Sequence, residues 1–245
     1  MTQPELSRNL LLAALPTDAL RHLEGAFRIS ERMVDDDLFS ADDQTELYFP
    51  LDGVISLLRS LENGAEVEVG MVGAEGFAGI NALLGVQGSP HHGLVQGRGW
   101  LARIDPAAMR AEMQRDQRVA DVLLRFVHAF MANTSQLAAC NRVHLLEERL
   151  AHWLLLLADR VGAPEMSVTQ EFLARMLGAR RAGINEGIRA LREAGCIEHG
   201  RNRIRIIDRA ALEERSCECY DMMFAEYERA LGFAPVNMGR VADVD

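Results

Sequence analysis

The chain of 245 residues contains no lysine: all 26 basic residues are arginine, set against 36 acidic ones for a formal net charge of −10. That acidic balance excludes a protein that coats nucleic acid indiscriminately, so any contact with a polyanion must be confined to one face. Cysteine is scarce. Cys140, Cys196, Cys217 and Cys219 are the whole complement, too few and too scattered for a disulfide framework, and they read as reduced thiols. Cys217-Glu218-Cys219 could offer two metal ligands, but no second Cys or His pair stands nearby at zinc-site spacing; a structural reading is preferred, and no metal ligand or cofactor is assigned. Long apolar runs are missing as well. The longest, Trp153 to Ala158, is far short of the roughly 20 residues that cross a bilayer, and the amino terminus lacks the basic start and apolar core of a secretory signal. The expected location is the cytoplasm, with no membrane partner. What the chain does have is 49% hydrophobic residues, enough for the cores of two domains.

Residues 5–27 read as a short helical lead-in, with Thr17 a plausible cap after Pro16. From Ile29 to Ile104 the character changes to short apolar runs separated by turn chemistry: Leu47–Pro50, Asp52-Gly53, Val54–Leu58, Asn63-Gly64, Val67–Val72 and Trp100–Ile104. Asn-Gly between two such runs is a strong hairpin signal, and several strands at this spacing imply an antiparallel sandwich or small barrel. Asp105-Pro106 opens a helical region, broken before Asp116 and resumed as a helix of roughly 24 residues, about 36 Å long. Val119, Val122, Phe126, Phe130 and Leu137 form a near-heptad stripe on it and predict a dimer seam, the alternative being an intramolecular core helix. A hinge is expected at Asn141-Arg142, then a helix from Leu145 to Val161. After residue 210, Tyr220, Met222, Met223, Phe224 and Tyr227 predict a last helix packed on the preceding domain, ending in polar residues. The expected divisions are 1–116, 117–142, 143–215 and 216–245.

Residues 167–208 carry the strongest functional signal. Ser167 or Thr169 can cap one short amphipathic helix pattern, with Gln170 or Glu171 following, Gly178 supplies a turn, and Ile184, Ile188 and Leu191 mark the buried stripe of a second. Arg180, Arg181, Gly183, Asn185 and Arg189 lie on or near its other face. Gly195 ends that helix, and a basic hairpin carrying Arg201 and Arg203 follows. Residues 167–209 hold nine Arg against five Asp or Glu, a local charge of +4 within an acidic chain. Basic charge concentrated on a helix-turn-helix and its wing points to double-stranded DNA. The DNA-binding candidates are Thr169, Gln170, Arg180, Arg181, Gly183, Asn185, Arg189, Arg201 and Arg203.

A small barrel, a long helix and a winged helix-turn-helix together resemble the Crp/Fnr family of bacterial transcription regulators. The likeness is most specific in TQEFLARMLGARRAGINEGIRALREAGCI and extends to YFPLDGVISLLRSLENGAEVEVGMVGAEGFAG. It implies an α+β fold with a jelly-roll-like antiparallel sensory barrel, a homodimer on a palindromic operator, RNA polymerase as a further candidate partner, and no catalysis. It also implies base contacts from Arg180, Arg181, Gly183 and Asn185, with Ala182 standing where many members have an acidic residue. Family members that bind cyclic nucleotides hold the ribose with a glutamate and the phosphate with an Arg-Ser or Arg-Thr pair. Those positions fall on Ile80, Pro90 and His91, next to Gly79, so cyclic AMP binding is not expected and the effector is unassigned. The amino-terminal iron–sulfur cysteines of the oxygen-sensing branch are absent, since the first cysteine is Cys140. A cupin-like metal enzyme would need His91 and His92 to share one metal, which adjacent residues can do on a loop but not on a strand; a metal- or haem-responsive barrel through His91 or His92 is the other alternative.

Overall fold

The computed structural model describes residues 4–43 and 45–235. Its first helices are short: α1 (Leu10–Ala13) and α2 (Thr17–Leu23), with Thr17 the first residue of α2 and Pro16 at the cap position. Asn9 caps α1 by accepting from the Leu12 amide. Fully buried, it also donates to the carbonyls of Pro50 and Gly76 at 2.8 Å each, which ties the lead-in to the sheets that follow.

Seven strands build those sheets: β1 (Arg28–Arg32), β2 (Asp37–Phe39), β3 (Leu47–Pro50), β4 (Val54–Ser60), β5 (Glu66–Val72), β6 (His92–Gly97) and β7 (Gly99–Ile104), with the single turn α3 (Ile80–Leu83) between β5 and β6. They pair antiparallel in the orders β1-β7-β3 and β2-β6-β4-β5, the antiparallel layering expected from the turn chemistry and, in its jelly-roll-like form, from the family resemblance. Asn63-Gly64 makes the β4–β5 hairpin, with Gly64 at φ 79°, the left-handed region glycine enters without steric cost.

α4 (Pro106–Arg115) starts at the Asp105 cap and stops at Asp116, which in turn caps α5 (Gln117–Val143), a helix about 40 Å long. The predicted seam on α5 requires correction. Val119 and Phe126 are fully buried within the chain, Val122 and Phe130 pack partly buried against the same core, and Leu137 lines an interior pocket. Phe126 stacks among Phe77, Phe130 and Tyr227, and its ring occupies the space a side chain at residue 76 would need, which is why residue 76 is glycine. The stripe therefore faces the chain's own barrel. The exposed large apolar residues of α5 are instead Leu124 and Met131, 45% and 64% accessible and one heptad apart, and Val143 at its last position.

α5 ends at Val143, and α6 (Leu146–Val161) begins after His144-Leu145, so the break falls slightly later than expected. Beyond α6 come β8 (Glu165–Met166), α7 (Gln170–Met176), α8 (Arg181–Glu193), β9 (Ile197–Gly200), β10 (Arg203–Ile206), α9 (Arg209–Glu214) and α10 (Cys219–Leu231), with a small sheet ordered β8-β10-β9. α10 serves two cores. Tyr220 and Phe224 pack with α6 and α8, while Tyr227 is buried against α5, so the helix does not belong to the last domain alone. The tail after residue 235 lies outside the described residues.

α6 docks on the barrel through a shared apolar cluster and through buried polar groups. Glu68 of β5 is buried and accepts from Ser56 Oγ (2.6 Å) and Trp153 Nε1 (3.0 Å). Burial pushes its carboxyl up to about 7, against the downward pull of those two hydrogen bonds and of the Arg160 charge. Between about pH 4.5, where an unperturbed glutamate titrates, and about pH 7, the folded chain keeps a proton that the unfolded chain has lost. Stability must therefore fall as pH rises across that window, in total by on the order of 3 kcal/mol. Glu68→Gln, which carries no charge to desolvate, should gain on the parent between pH 4.5 and 8 in paired urea unfolding curves. A gap between the two proteins that stays constant over that range contradicts this reading of Glu68.

Candidate nucleic-acid interface and effector cavity

The α7–α8 pair has its form because each end is specified locally. Thr169 Oγ1 accepts from the Phe172 amide (3.0 Å) and caps α7, and Gly178 makes the turn at φ 59°. α8 buries Ile184, Ile188 and Leu191 and shows Arg181, Asn185 and Arg189 to solvent, with Arg180 exposed at its cap position. Gly195, at φ 75°, follows the helix as the stop signal implied. Asn202, in the left-handed region at φ 57°, closes the turn between β9 and β10.

Four of the nine sequence-predicted contact residues face one concavity. Thr169, Gln170, Arg181 and Arg201 line a groove with Glu171, His199, Gly200 and Asn202, so the start of α7, the start of α8 and the tip of the wing converge. His199 and Asn202 were not singled out from the sequence, although they lie in the same basic hairpin. Arg189 faces Glu193 at 3.9 Å and Arg203 faces Glu165 at 3.5 Å, both exposed pairs that a phosphate could displace. Gly183 also has a packing role. A Cβ there would sit 2.8 Å from Leu146 Cδ2, and one at Gly187 3.2 Å from Leu150 Cδ2, so these glycines bring α8 close to α6.

The effector-cassette residues also converge. Gly79, Ile80, Pro90 and His91 line one cavity of about 460 Å³ between the barrel and α5, closed by Leu57, Val69, Leu84, Phe130 and Met131. No Arg, Asp or Glu is among its lining residues. His91 is its one ionisable group, held below the ordinary imidazole range first by burial and then by the nearby Arg59 charge. His92 engages Glu66 at 3.5 Å, and Glu66 also meets Arg175 of α7 at 3.4 Å. His91 and His92 thus serve different surroundings, which removes the geometric basis for a shared metal. A thiol cluster does form elsewhere: the sequence set Cys217 and Cys219 aside, but the fold brings Cys140 and His144 to them. The overlooked signal was the four-residue spacing of Cys140 and His144, which puts both on one side of a helix end.

Residues 34–116 match the cyclic nucleotide-binding domain family and residues 148–215 the Crp-like helix-turn-helix domain family. The global nitrogen regulator of Synechococcus elongatus is 22% identical over 186 residues, covering 72% of this chain and 84% of that protein. Among solved structures, a Crp/Fnr-family regulator from Eubacterium rectale aligns with a TM-score of 0.68 at 18% identity, covering 85% of this chain and 98% of that one. The c-di-GMP-responsive regulator CLP of Xanthomonas campestris aligns at 0.66 and 16% identity, over 79% and 100%. With both domains matched in the order and positions that the fold gives them, the chain belongs to the Crp/Fnr family of transcription regulators. Among the described residues, no helix is long and apolar enough to cross a membrane.

Proposed function

We propose that the protein acts in the cytoplasm as a homodimer, reads a palindromic operator with α8, and answers to an uncharged, largely apolar effector instead of a cyclic nucleotide. The observation that carries the DNA reading is the groove where Arg181 at the start of α8 and Arg201 of the wing meet the Thr169 cap of α7, within a segment whose local charge is +4 in an acidic chain. α8 presents Arg180, Arg181 and Asn185 at its exposed amino-terminal turn, the part of a recognition helix that reaches base edges. An arginine can bond both O6 and N7 of guanine, which makes Arg181 the base reader and leaves Arg201 and Arg203 to phosphate. Action on transcription brings RNA polymerase in as a partner. The protein works by binding and not by catalysis.

The effector reading rests on the lining of the barrel cavity. A cyclic phosphate there would find Pro90 and His91 where a guanidinium and a hydroxyl are needed, and Ile80 in place of a ribose-binding carboxylate. Its volume suits a small molecule with a few polar groups, for which Asn81, Ser89, Thr134 and Ser135 are available. The dimer reading moves to the outer face of α5. Leu124 and Met131 supply its apolar contacts, and Met131 also lines the cavity, so one residue would sense both effector and partner.

Arg181→Ala should weaken operator binding by about 1 to 3 kcal/mol and relax selectivity at one symmetric base pair, measured by titration against operator and single-substitution duplexes. Arg201→Ala should instead weaken all duplexes alike and lower the salt slope by about one unit per half-site. Unchanged affinity and selectivity in Arg181→Ala would remove α8 as the reader. In sedimentation, the pair Leu124→Glu and Met131→Glu should yield folded monomers with poor operator affinity, whereas Phe126→Glu should unfold the barrel; a persistent dimer in the outer-face variant rules out this seam. Calorimetry with cyclic AMP and cyclic GMP should show no micromolar binding. Stoichiometric tight binding of either would overturn the cavity reading.

A further inference from the structure

Three of the chain's four cysteines, drawn from distant parts of the sequence, meet with one histidine. Cys140 stands near the end of α5, His144 at the α5–α6 joint, and Cys217 and Cys219 at the head of α10. All three thiols are buried and none is in a disulfide. Their sulfurs and one imidazole nitrogen lie within 4.8 Å of one another, with Cys140 Sγ to Cys217 Sγ at 3.5 Å and Cys219 Sγ to His144 Nδ1 also at 3.5 Å. A tetrahedral zinc ion bonded to sulfur at about 2.3 Å and nitrogen at about 2.0 Å requires ligand separations of roughly 3.5 to 3.8 Å. A polynuclear iron–sulfur cluster places several iron and sulfide atoms among its thiolates and needs them further apart.

We propose that Cys140, His144, Cys217 and Cys219 form a tetrahedral Cys3His site for one zinc-class divalent ion, which pins the α5–α6 joint to the head of α10. The soft donor set selects zinc or a similar thiophilic ion over magnesium or calcium. The surroundings match what a ligating set needs. His144 turns Nδ1 to the thiols while its Nε2 meets Glu218 Oε2 at 3.2 Å, an arrangement in which a carboxylate fixes the imidazole ring and tautomer. Gln136 Nε2 donates to Cys219 Sγ at 3.0 Å. His152 Nδ1 lies 3.6 Å from Cys217 Sγ and 3.9 Å from Cys140 Sγ, and its buried Nε2 has no hydrogen-bond partner among the described residues. His152 is placed to donate an N–H to the thiolates, with His144 as the ligand. Binding releases the three thiol protons to solvent and leaves three thiolates, a dication and a neutral imidazole, a net charge of −1. Arg149, in electrostatic range of the Cys140 and Cys217 sulfurs, supplies the counter-charge.

The ligands bridge the long barrel-facing helix, the joint that leads to the DNA-binding domain and the helix that follows its wing. Metal occupancy would therefore set how firmly that domain is held. The test uses the full-length reduced protein. One zinc per chain is expected by elemental mass spectrometry, and cobalt exchange should give the visible bands of a tetrahedral ion with near-ultraviolet thiolate charge transfer. Cys217→Ser, Cys219→Ser and His144→Ala should each lose stoichiometric metal and the charge-transfer intensity, while Cys196→Ser, which removes the cysteine outside the cluster, and His152→Ala should retain both. Chelation of the parent should lower its Tm and expose the 141–146 joint to protease. Reduced, folded parent protein that takes up neither zinc nor cobalt from micromolar excess overturns the proposal, as does a six-coordinate cobalt spectrum. So does recovery of a Cys140–Cys217 disulfide whose reduction yields no metal uptake.

Discussion

The relation of the two domains depends on a buried ion pair in the turn after β5. Glu75 and Arg160 meet at 2.9 Å with side chains 1% and 2% accessible. Burying two charges is favourable only where geometry and further hydrogen bonds offset the lost hydration, and here Glu75 also accepts from the Gly73 amide while Arg160 donates to the Leu156 carbonyl. Removing either partner would strand a charge in the joint at a cost of about 3 to 5 kcal/mol. Gly73 follows from the pair, since a Cβ there would lie 2.9 Å from Arg160 Cγ, and Gly76 yields its space to the Phe126 ring. One short turn thus receives α6 through charge and α5 through an aromatic ring.

From that turn the functional parts diverge. Gly79, at φ 115°, carries the chain into α3 and sets Ile80 on the wall of the cavity that α5 closes with Phe130 and Met131. On the other side, Trp153 meets Glu68 and Arg175 of α7 meets Glu66, so the amino-terminal part of the DNA-binding domain rests on β5. Strand β5 supplies Val69 to the cavity and Glu66 and Glu68 to the domain contact. One strand thus borders both the cavity and the packing surface of α6 and α7.

Much of this was legible in the residues. The Asn63-Gly64 hairpin, the break at Asp116, the Thr169 cap, the Gly178 turn and the Gly195 stop all follow from local chemistry that tertiary contacts do not override. β1, β2 and β6 went unread because their sequences lack regular apolar alternation; β2 is three residues long and β6 begins at the paired histidines. The α5 stripe misled for a different reason. A heptad pattern reports that a face is buried and not by what, and the barrel, with Gly70 and Gly76 shaped to Phe130 and Phe126, took the place assigned to a second chain. Gly183 stood among charged neighbours, and only the approach of Leu146 reveals its packing role. Of the cysteine cluster, the residues carry only the Cys140–His144 spacing; the contact of Cys140 with the 217–219 segment depends on where α10 lands.

The central claim is that α8 and the wing read a two-fold DNA sequence. The most direct measurement is selection from a random duplex library by the purified full-length protein, repeated at two salt concentrations. The account predicts enrichment of one inverted repeat with half-site centres about 10 bp apart, together with a strong loss of affinity as salt rises. Recovery of no common motif, or of a single unrepeated half-site bound without salt dependence, would contradict it.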